Sequence, residues 1–314
     1  MTSSEPDEGW LIGECGKLPL NCRAVTARPD SSGFVAGTPR DSMGSGLEAA
    51  VFHVSSLGEP RELFRRSGMA LDVHQADGVV ALLVSTDGPV FHLHLSSDDG
   101  ESWSDAIATS ASSLRSVCCI GGEVWAIGSE TVGRWRDGVW EGLPQPTPIN
   151  SRKCSLHSVA GTTVLATPEG LFIWREKERR WGRRAVEGAE VCGFQFPYVI
   201  GRHRGAVRVG ELEKAWVNWM GAVEGNGGVV GFSWGTWEGG ESKALQVLMS
   251  QSGVPQFGAL TLLHSRPEGG FASRTLPLSP DGRNVGIAGA TGLLGVMANG
   301  STIQRVVASR PGAN

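Results

Sequence analysis

The sequence predicts an all-β fold in which a small antiparallel sheet recurs around a ring. Three observations carry that expectation. Short alternating apolar runs bounded by Gly, Asp, Asn and Pro dominate the 314 residues, and no ten-residue window shows an apolar stripe of helical period. Forty-five glycines and 11 tryptophans stand against a single tyrosine, a balance that supplies tight turns and large packing side chains. Two short patterns also repeat in step along nearly the whole chain.

The first pattern is clearest in "SSDDGESW", Ser96 to Trp103. In such a turn short Ser and Asp side chains bond back to nearby amides, and Gly100 supplies a positive φ. Trp103 then drops an apolar body between packed sheets. Read as Ser96-x-Asp98-x-Gly100-x-Ser102-Trp103, the stretch resembles the Asp-box, the hairpin signature of the sialidase-like or BNR-type β-propellers. The resemblance implies that these residues are structural. Degenerate copies end at Trp140, Trp181 and Trp216, spaced 37, 41 and 35 residues apart, each expected to close a hairpin. "HSRPEGGF" at 264–271 and "HVSSLGEPREL" at 53–63 are two further copies, with Phe271 and Leu63 in the tryptophan's place.

The second pattern marks where each repeat begins. "CRAV" at 22–25, "LRSV" at 114–117 and "LHSV" at 156–159 each precede a Gly-bounded apolar strand. "VCGF" at 191–194, "VVGF" at 229–232 and "NVGI" at 284–287 fit with glycine in the small position, and "LDVH" at 71–74 falls in place without a small residue. Seven starts, each followed by room for four strands, predict a seven-bladed β-propeller of four-stranded blades. The last blade has room for three strands, so "GWLIGE" at 9–14 is expected to supply its outer strand and close the ring, removing exposed edges. Six or eight blades remain open, because the long segment 228–282 can be parsed differently. One propeller domain over 9–310 is expected, after a disordered tail at 1–8.

Charge and targeting signals narrow the setting. A net charge of −4 gives no overall footprint for DNA or RNA. Only five lysines occur, so arginine carries most of the positive charge, which fits a GC-rich bacterial genome. The acidic, polar "MTSSEPDEGW" reads as neither signal peptide nor anchor, and no apolar run approaches a membrane span, so a cytoplasmic protein is expected. None of the six cysteines sits in a CxxC spacing, and buried reduced thiols are expected rather than disulfides. No cofactor is implied.

In a propeller, equivalent positions of the innermost strands face one another across the axis. The second residue of the start pattern gives Arg23, Asp72, Arg115, His157, Cys192, Val230 and Val285 around the ring. Four consecutive blades thus offer ionisable groups. Arg23 and Arg115 suit a carboxylate or phosphate, His157 suits proton transfer near neutral pH, and Asp72 suits orienting a partner or acting as base. A one-residue slip in register would redirect all of them. Arg202, His203 and Arg204 in "GRHRG", with Arg40 and Asp41 in "GTPRDSMGSG", are expected on loops of the same face. His92 and His94, two apart on one strand face, form a weak metal candidate without a third ligand nearby in sequence. "WREKERRWGRR" at 174–184 is expected on an outer hairpin of the opposite rim as a solvated turn.

The resemblance invites a sialidase, and the residues argue against one. That family implies a tyrosine nucleophile paired with a glutamate and an Arg-Ile-Pro motif. Here "ARPD" at 27–30 is not that motif, and Tyr198 lies in the apolar "FPYVIG". Another glycosidase would need two facing carboxylates, and only Asp72 lies on the ring. The chain also resembles photosystem-assembly and sortilin-type Asp-box propellers, which bind proteins or peptides. The expected function is a non-catalytic propeller holding a peptide or protein segment, or a small anionic ligand, at the channel mouth. The alternative is a tailoring or lyase-type enzyme centred on His157, Asp72 and Arg115.

Overall fold

The computed structural model describes residues 10–28, 32–41, 47–55, 59–86, 90–104, 107–109, 113–147, 154–186, 188–203, 206–213, 216–222, 228–236, 243–250, 260–265, 271–276, 285–290, 293–299 and 302–308. The tail expected over 1–8 lies outside them. Twenty-eight strands among these residues form seven four-stranded antiparallel sheets, and no helix is long and apolar enough to cross a membrane. Each sheet is a blade, named here in chain order.

Blade 1 comprises Leu20–Ala27, Gly33–Pro39, Glu48–Val54 and Pro60–Ser67. Blade 2 comprises Met69–Ala76, Val79–Ser85, Phe91–Ser96 and Ile107–Thr109, and blade 3 Leu114–Ile120, Glu123–Gly128, Val132–Arg136 and Val139–Leu143. Blade 4 runs through Ser155–Val159, Thr162–Thr167, Gly170–Arg175 and Arg180–Arg184, and blade 5 through Ala189–Gln195, Tyr198–His203, Ala206–Leu212 and Val217–Ala222. The long segment after residue 227 resolves into Gly228–Thr236, Lys243–Ser250, Leu260–Ser265 and Phe271–Leu276, which make blade 6. Val285–Ala290, Leu293–Asn299 and Thr302–Ala308 begin blade 7, and Trp10–Lys17 completes it from the other end of the chain, with Trp10 opposite Ala308 and Lys17 opposite Thr302. The innermost strand of each blade lies against those of its two neighbours, and blade 7 returns to blade 1. The architecture is a β-propeller.

Why the strands look as they do follows from this stacking. A blade is buried on both faces, so its second strand loses the polar half of the usual alternation, as "VVALLVS" at 79–85 shows. Val80, Leu82 and Val84 pack toward Phe34, Ala36 and Phe64 of blade 1. Ala81 and Leu83, one residue out of phase, pack toward Val117, Val124 and Trp135 of blade 3. Leu82 and Leu83 are fully buried, and each contributes about 2 kcal/mol of hydrophobic stabilisation. The core is therefore a series of apolar seams between blades.

The turn at 96–103 joins the third and fourth strands of blade 2. Ser96 Oγ accepts from the Gly100 amide at 2.7 Å and donates to Asp98 at 2.8 Å. Asp98 accepts from the Ser102 amide at 2.9 Å and from Ser102 Oγ at 2.5 Å; these bonds pull its carboxyl down to about 2. Gly100 adopts φ +90°, and a Cβ there would come within 2.5 Å of Leu63. Trp103 donates to the Gly100 carbonyl and sets its ring 4.8 Å from Phe64 of blade 1. Trp181 crosses from blade 4 in the same way, donating to the Pro144 carbonyl at 2.8 Å. Trp216 departs from the expected pattern: its side chain is 68% exposed, and Trp219, three residues on, packs into the seam instead.

Candidate functional site

The innermost strands of blades 1, 2, 3, 5 and 6 carry one-residue bulges that fix which side chains are level with one another. In blade 1 the pairing skips from Cys22 to Ala24, leaving Arg23 as the extra residue. Blade 3 skips Arg115, blade 5 Cys192 and blade 6 Val230 in the same way. In blade 2 the skipped residue is Leu71, not Asp72. This corrects the sequence register: Asp72 is level with Ala24 and Ser116, one step further along its strand. The start pattern placed "LDVH" one residue late, because period-2 alternation does not reveal a bulge.

His157 needs a larger correction. Its strand pairs with the next without a bulge, His157 opposite Val164. The innermost strands of blades 2, 3 and 4 end at two-residue turns, Asp77-Gly78, Gly121-Gly122 and Ala160-Gly161. Counting back from these, His157 is level with His74 and Cys118, three residues before the turn. Asp72, Ser116 and Ser155 form the level two residues above. The predicted set therefore separates into two arginines at the bulges and a deeper polar arc.

The deep arc stitches neighbouring blades together. Asp72 accepts from Ser116 Oγ at 2.7 Å and from the Val117 amide at 2.9 Å, both in blade 3, and from its neighbour Val73 at 2.9 Å. Two residues on, His74 Nδ1 accepts the Cys119 amide at 3.1 Å. The free inner edge of blade 3 thus gives two of its amides to side chains of blade 2. An accepting Nδ1 leaves the proton of the neutral ring on Nε2, which faces Cys118 Sγ at 3.8 Å. In blade 4, His157 Nε2 lies 2.6 Å from Ser155 Oγ, and its ring meets Phe194 of blade 5 edge-on at 5.2 Å.

Burial sets the charges here. It pushes Asp72 up to about 6 against the bonds from Ser116, Val117 and Val73. It lowers His74 to about 4 and His157 to about 3, the latter helped by nearby His74. Both imidazoles are neutral at pH 7, so His157 does not have the near-neutral proton affinity expected of it. Burial also raises the thiols of Cys118 and Cys119, the latter to about 12, which keeps them protonated. Cys22, Cys118, Cys119, Cys154 and Cys192 are not in disulfides.

The bulges lie at the end of the channel where the loop between second and third strands opens, as Leu114 opposite Gly128 shows. Arg23 and Arg115 are exposed there, and among the described residues neither makes an ion pair or a side-chain hydrogen bond. Leu71 occupies the intervening place in blade 2. Arg40 is exposed on the corresponding loop of blade 1, its amide held by the Pro19 carbonyl at 2.9 Å. Asp41 beside it is taken by Arg65 at 3.0 Å. Arg202 is exposed on the same hairpin position of blade 5, opposite Glu190. The His203 side chain and Arg204 lie outside the described residues.

The remaining candidates sit elsewhere. His94 is buried against Phe64 at 4.8 Å with Nδ1 3.5 Å from the Ser104 carbonyl, and the His92 ring stacks at 6.5 Å. Among the described residues no three His, Cys, Asp or Glu side chains are grouped to hold a metal. The basic run at 174–184 forms the outer hairpin of blade 4. Several of its charges are internal: Arg180 and Arg175 pair with Glu178, and Glu176 pairs with Arg134 of blade 3.

Comparison with known proteins places the architecture. No family model matches the sequence, and no curated protein matches it. Solved structures do. The chain is similar to the β-propeller domain of Cps50 (Swd1) from Myceliophteria thermophila, with TM-score 0.62 and 12% identity over 92% of this chain and 98% of that one. It is also similar to the RRP9 WD40 repeats, at 0.60 and 10% over 95% and 97%, and to the WD40 β-propeller domain of Doa1, at 0.59 and 11% over 96% and 98%. At these identities the likeness is one of fold, to β-propellers generally, and it does not single out the Asp-box group.

Proposed function

We propose that this chain is a non-catalytic, cytoplasmic binding propeller that holds an acidic peptide or protein segment, or a small anion, at its channel mouth. The observation that carries this reading is the pair Arg23 and Arg115. They occupy the same bulge position in blades 1 and 3, exposed and unpaired among the described residues, with only Leu71 between them. Two uncommitted guanidiniums on a rigid ring suit bidentate capture of carboxylate or phosphate. Arg40 and Arg202 extend the positive rim, and Arg204 and His203 belong to the same proposed mouth. The bonds of the 96–103 turn support kinship with the Asp-box propellers.

The enzyme reading draws less support from the same geometry. Asp72 spends its oxygens on Val73, Ser116 and Val117 and makes no bond to His157. Binding of a fluorescein-labelled acidic decapeptide, and separately of citrate, tests the proposal. Arg23→Ala and Arg115→Ala should each weaken capture about tenfold, with affinity falling steeply as salt rises. Unchanged affinity in both variants would sink it.

A further inference from the structure

Arg115 owes its place at the mouth to a bulge, and a bulged residue is the one that the strand ladder does not hold. What fastens the chain on either side therefore decides how freely its backbone turns. On the side before it, Ser113 adopts φ +64°, and the Ser129 amide donates to the Ser113 carbonyl at 3.3 Å and to its Oγ at 3.1 Å. Gly128 lies close over this bend, where a Cβ would stand 2.4 Å from the Ser113 carbonyl oxygen. On the side after it, the next two residues both bond to blade 2. Ser116 Oγ donates to Asp72 Oδ2 at 2.7 Å, and the Val117 amide donates to the same oxygen at 2.9 Å. The Val73 amide donates to Oδ1 at 2.9 Å, which holds the carboxylate in one orientation.

This fastening is one-sided. The three bonds of Asp72 run to blade 3 or to its own strand, and none among the described residues reaches blade 1, where Arg23 sits at the matching bulge. Charge alone would give Asp72 the opposite role, because a carboxylate below a mouth that takes anions repels them. Its benefit to such a ligand has to come through geometry. Two fastened neighbours remove in advance the backbone freedom that capture would otherwise have to freeze. On the anion-binding reading of the mouth, we infer that Asp72 is the positioning residue of Arg115. By holding Ser116 and Val117 it presets the bulge, so that Arg115 meets the anion already aimed, while Arg23 does not depend on it.

The test measures capture of the fluorescein-labelled acidic decapeptide, and of citrate, by the full chain at about pH 7.5, where Asp72 is ionised. Asp72→Ala should weaken capture about fivefold. Asp72→Asn, which drops the charge but keeps an acceptor for Ser116 and Val117, should restore the unaltered affinity or exceed it. In the Arg115→Ala background Asp72→Ala should cost nothing further, whereas in Arg23→Ala it should keep its full effect. A role confined to stability would move the urea midpoint without this selective coupling. Ser116→Ala removes the hydroxyl bond and leaves Asp72 charged. It should weaken capture about twofold with the same dependence on Arg115, and it decides the matter if Asp72→Ala fails to fold. Equal losses in both arginine backgrounds would overturn the inference, as would tighter capture by Asp72→Ala. If Arg115→Ala by itself leaves capture unchanged, the anion-binding mouth falls and the positioning role falls with it. A loss in Arg115→Ala with none in Asp72→Ala or Ser116→Ala removes the positioning role and keeps the mouth.

Discussion

Blade 3 is joined to its two neighbours by different chemistry at different radii. Toward blade 2, near the axis, Asp72 and His74 reach short distances to backbone amides and one hydroxyl. Toward blade 4, at the outer hairpins, Arg134 is gripped by Glu141 and Glu176 at 2.8 Å and by Glu123 at 3.3 Å, over the face of Trp125. The axial join uses donors that cannot move away and a ring held neutral. The rim join uses long side chains and full charges, with Arg134 only 3% exposed but Glu176 half exposed. Burial makes the first join specific and pH-sensitive; redundancy makes the second tolerant of losing an acid but not its central base.

Arg134→Ala should have the largest effect, about 3 kcal/mol by urea denaturation, because it strands three carboxylates around a buried gap. A loss within the range of an exposed ion pair would show that the rim contributes little. Next, Asp72→Ala should cost about 2 kcal/mol by leaving Val117 N–H and Ser116 without their acceptor, whereas Asp72→Asn, which keeps one acceptor, should cost less. Equal losses in the two would mean that charge, not the acceptor, holds the axis.

Acid should separate the two joins further. His74 and His157 titrate lower in the fold than unfolded, so the unfolded chain binds more protons between pH 6.5 and about 4, and stability falls as pH drops through that window. Asp72, raised to about 6, works the other way below pH 6, but it is one group against two. Glu176, held near 2 chiefly by Arg134, keeps its contribution above the ordinary carboxylate range and loses it only as pH falls toward 2. His74→Gln should therefore flatten the stability profile between pH 6.5 and 4 by roughly 1–2 kcal/mol, measured by thermal melts across buffers. An unaltered slope would remove His74 from the account. The smallest change is Glu176→Gln, about 0.5–1 kcal/mol and reduced in 0.5 M salt; a salt-independent loss would mean packing, not charge.

Much of the architecture was legible in the sequence. Each predicted start, from "CRAV" to "NVGI", marks an innermost strand, and "GWLIGE" does begin the strand that closes blade 7. Those signals are strong because a sheet buried on both faces leaves long apolar runs between obvious turns. The level of each side chain around the axis was less legible. Alternation cannot show a bulge, so the start pattern sets Asp72 one place off, and "LHSV" matches "LRSV" in letters while sitting three residues nearer its turn. Counting back from "ADG", "GG" and "AG" would have aligned His74, Cys118 and His157 and found Ser116 and Ser155. Trp216 misled for a related reason: a tryptophan at the right interval need not be the one that packs, and Trp219 took that place.

The pairing of Trp10 with Ala308 carries a consequence for how the molecule is made. Trp10–Lys17 finds its partner only in Thr302–Ala308, far along the chain, and it stays unpaired until that strand has formed. Until then the half-built circle carries bare backbone edges, and a neighbouring chain can supply the missing strand in trans. Slow, dilute refolding should favour monomers, and crowded refolding should yield interlocked pairs.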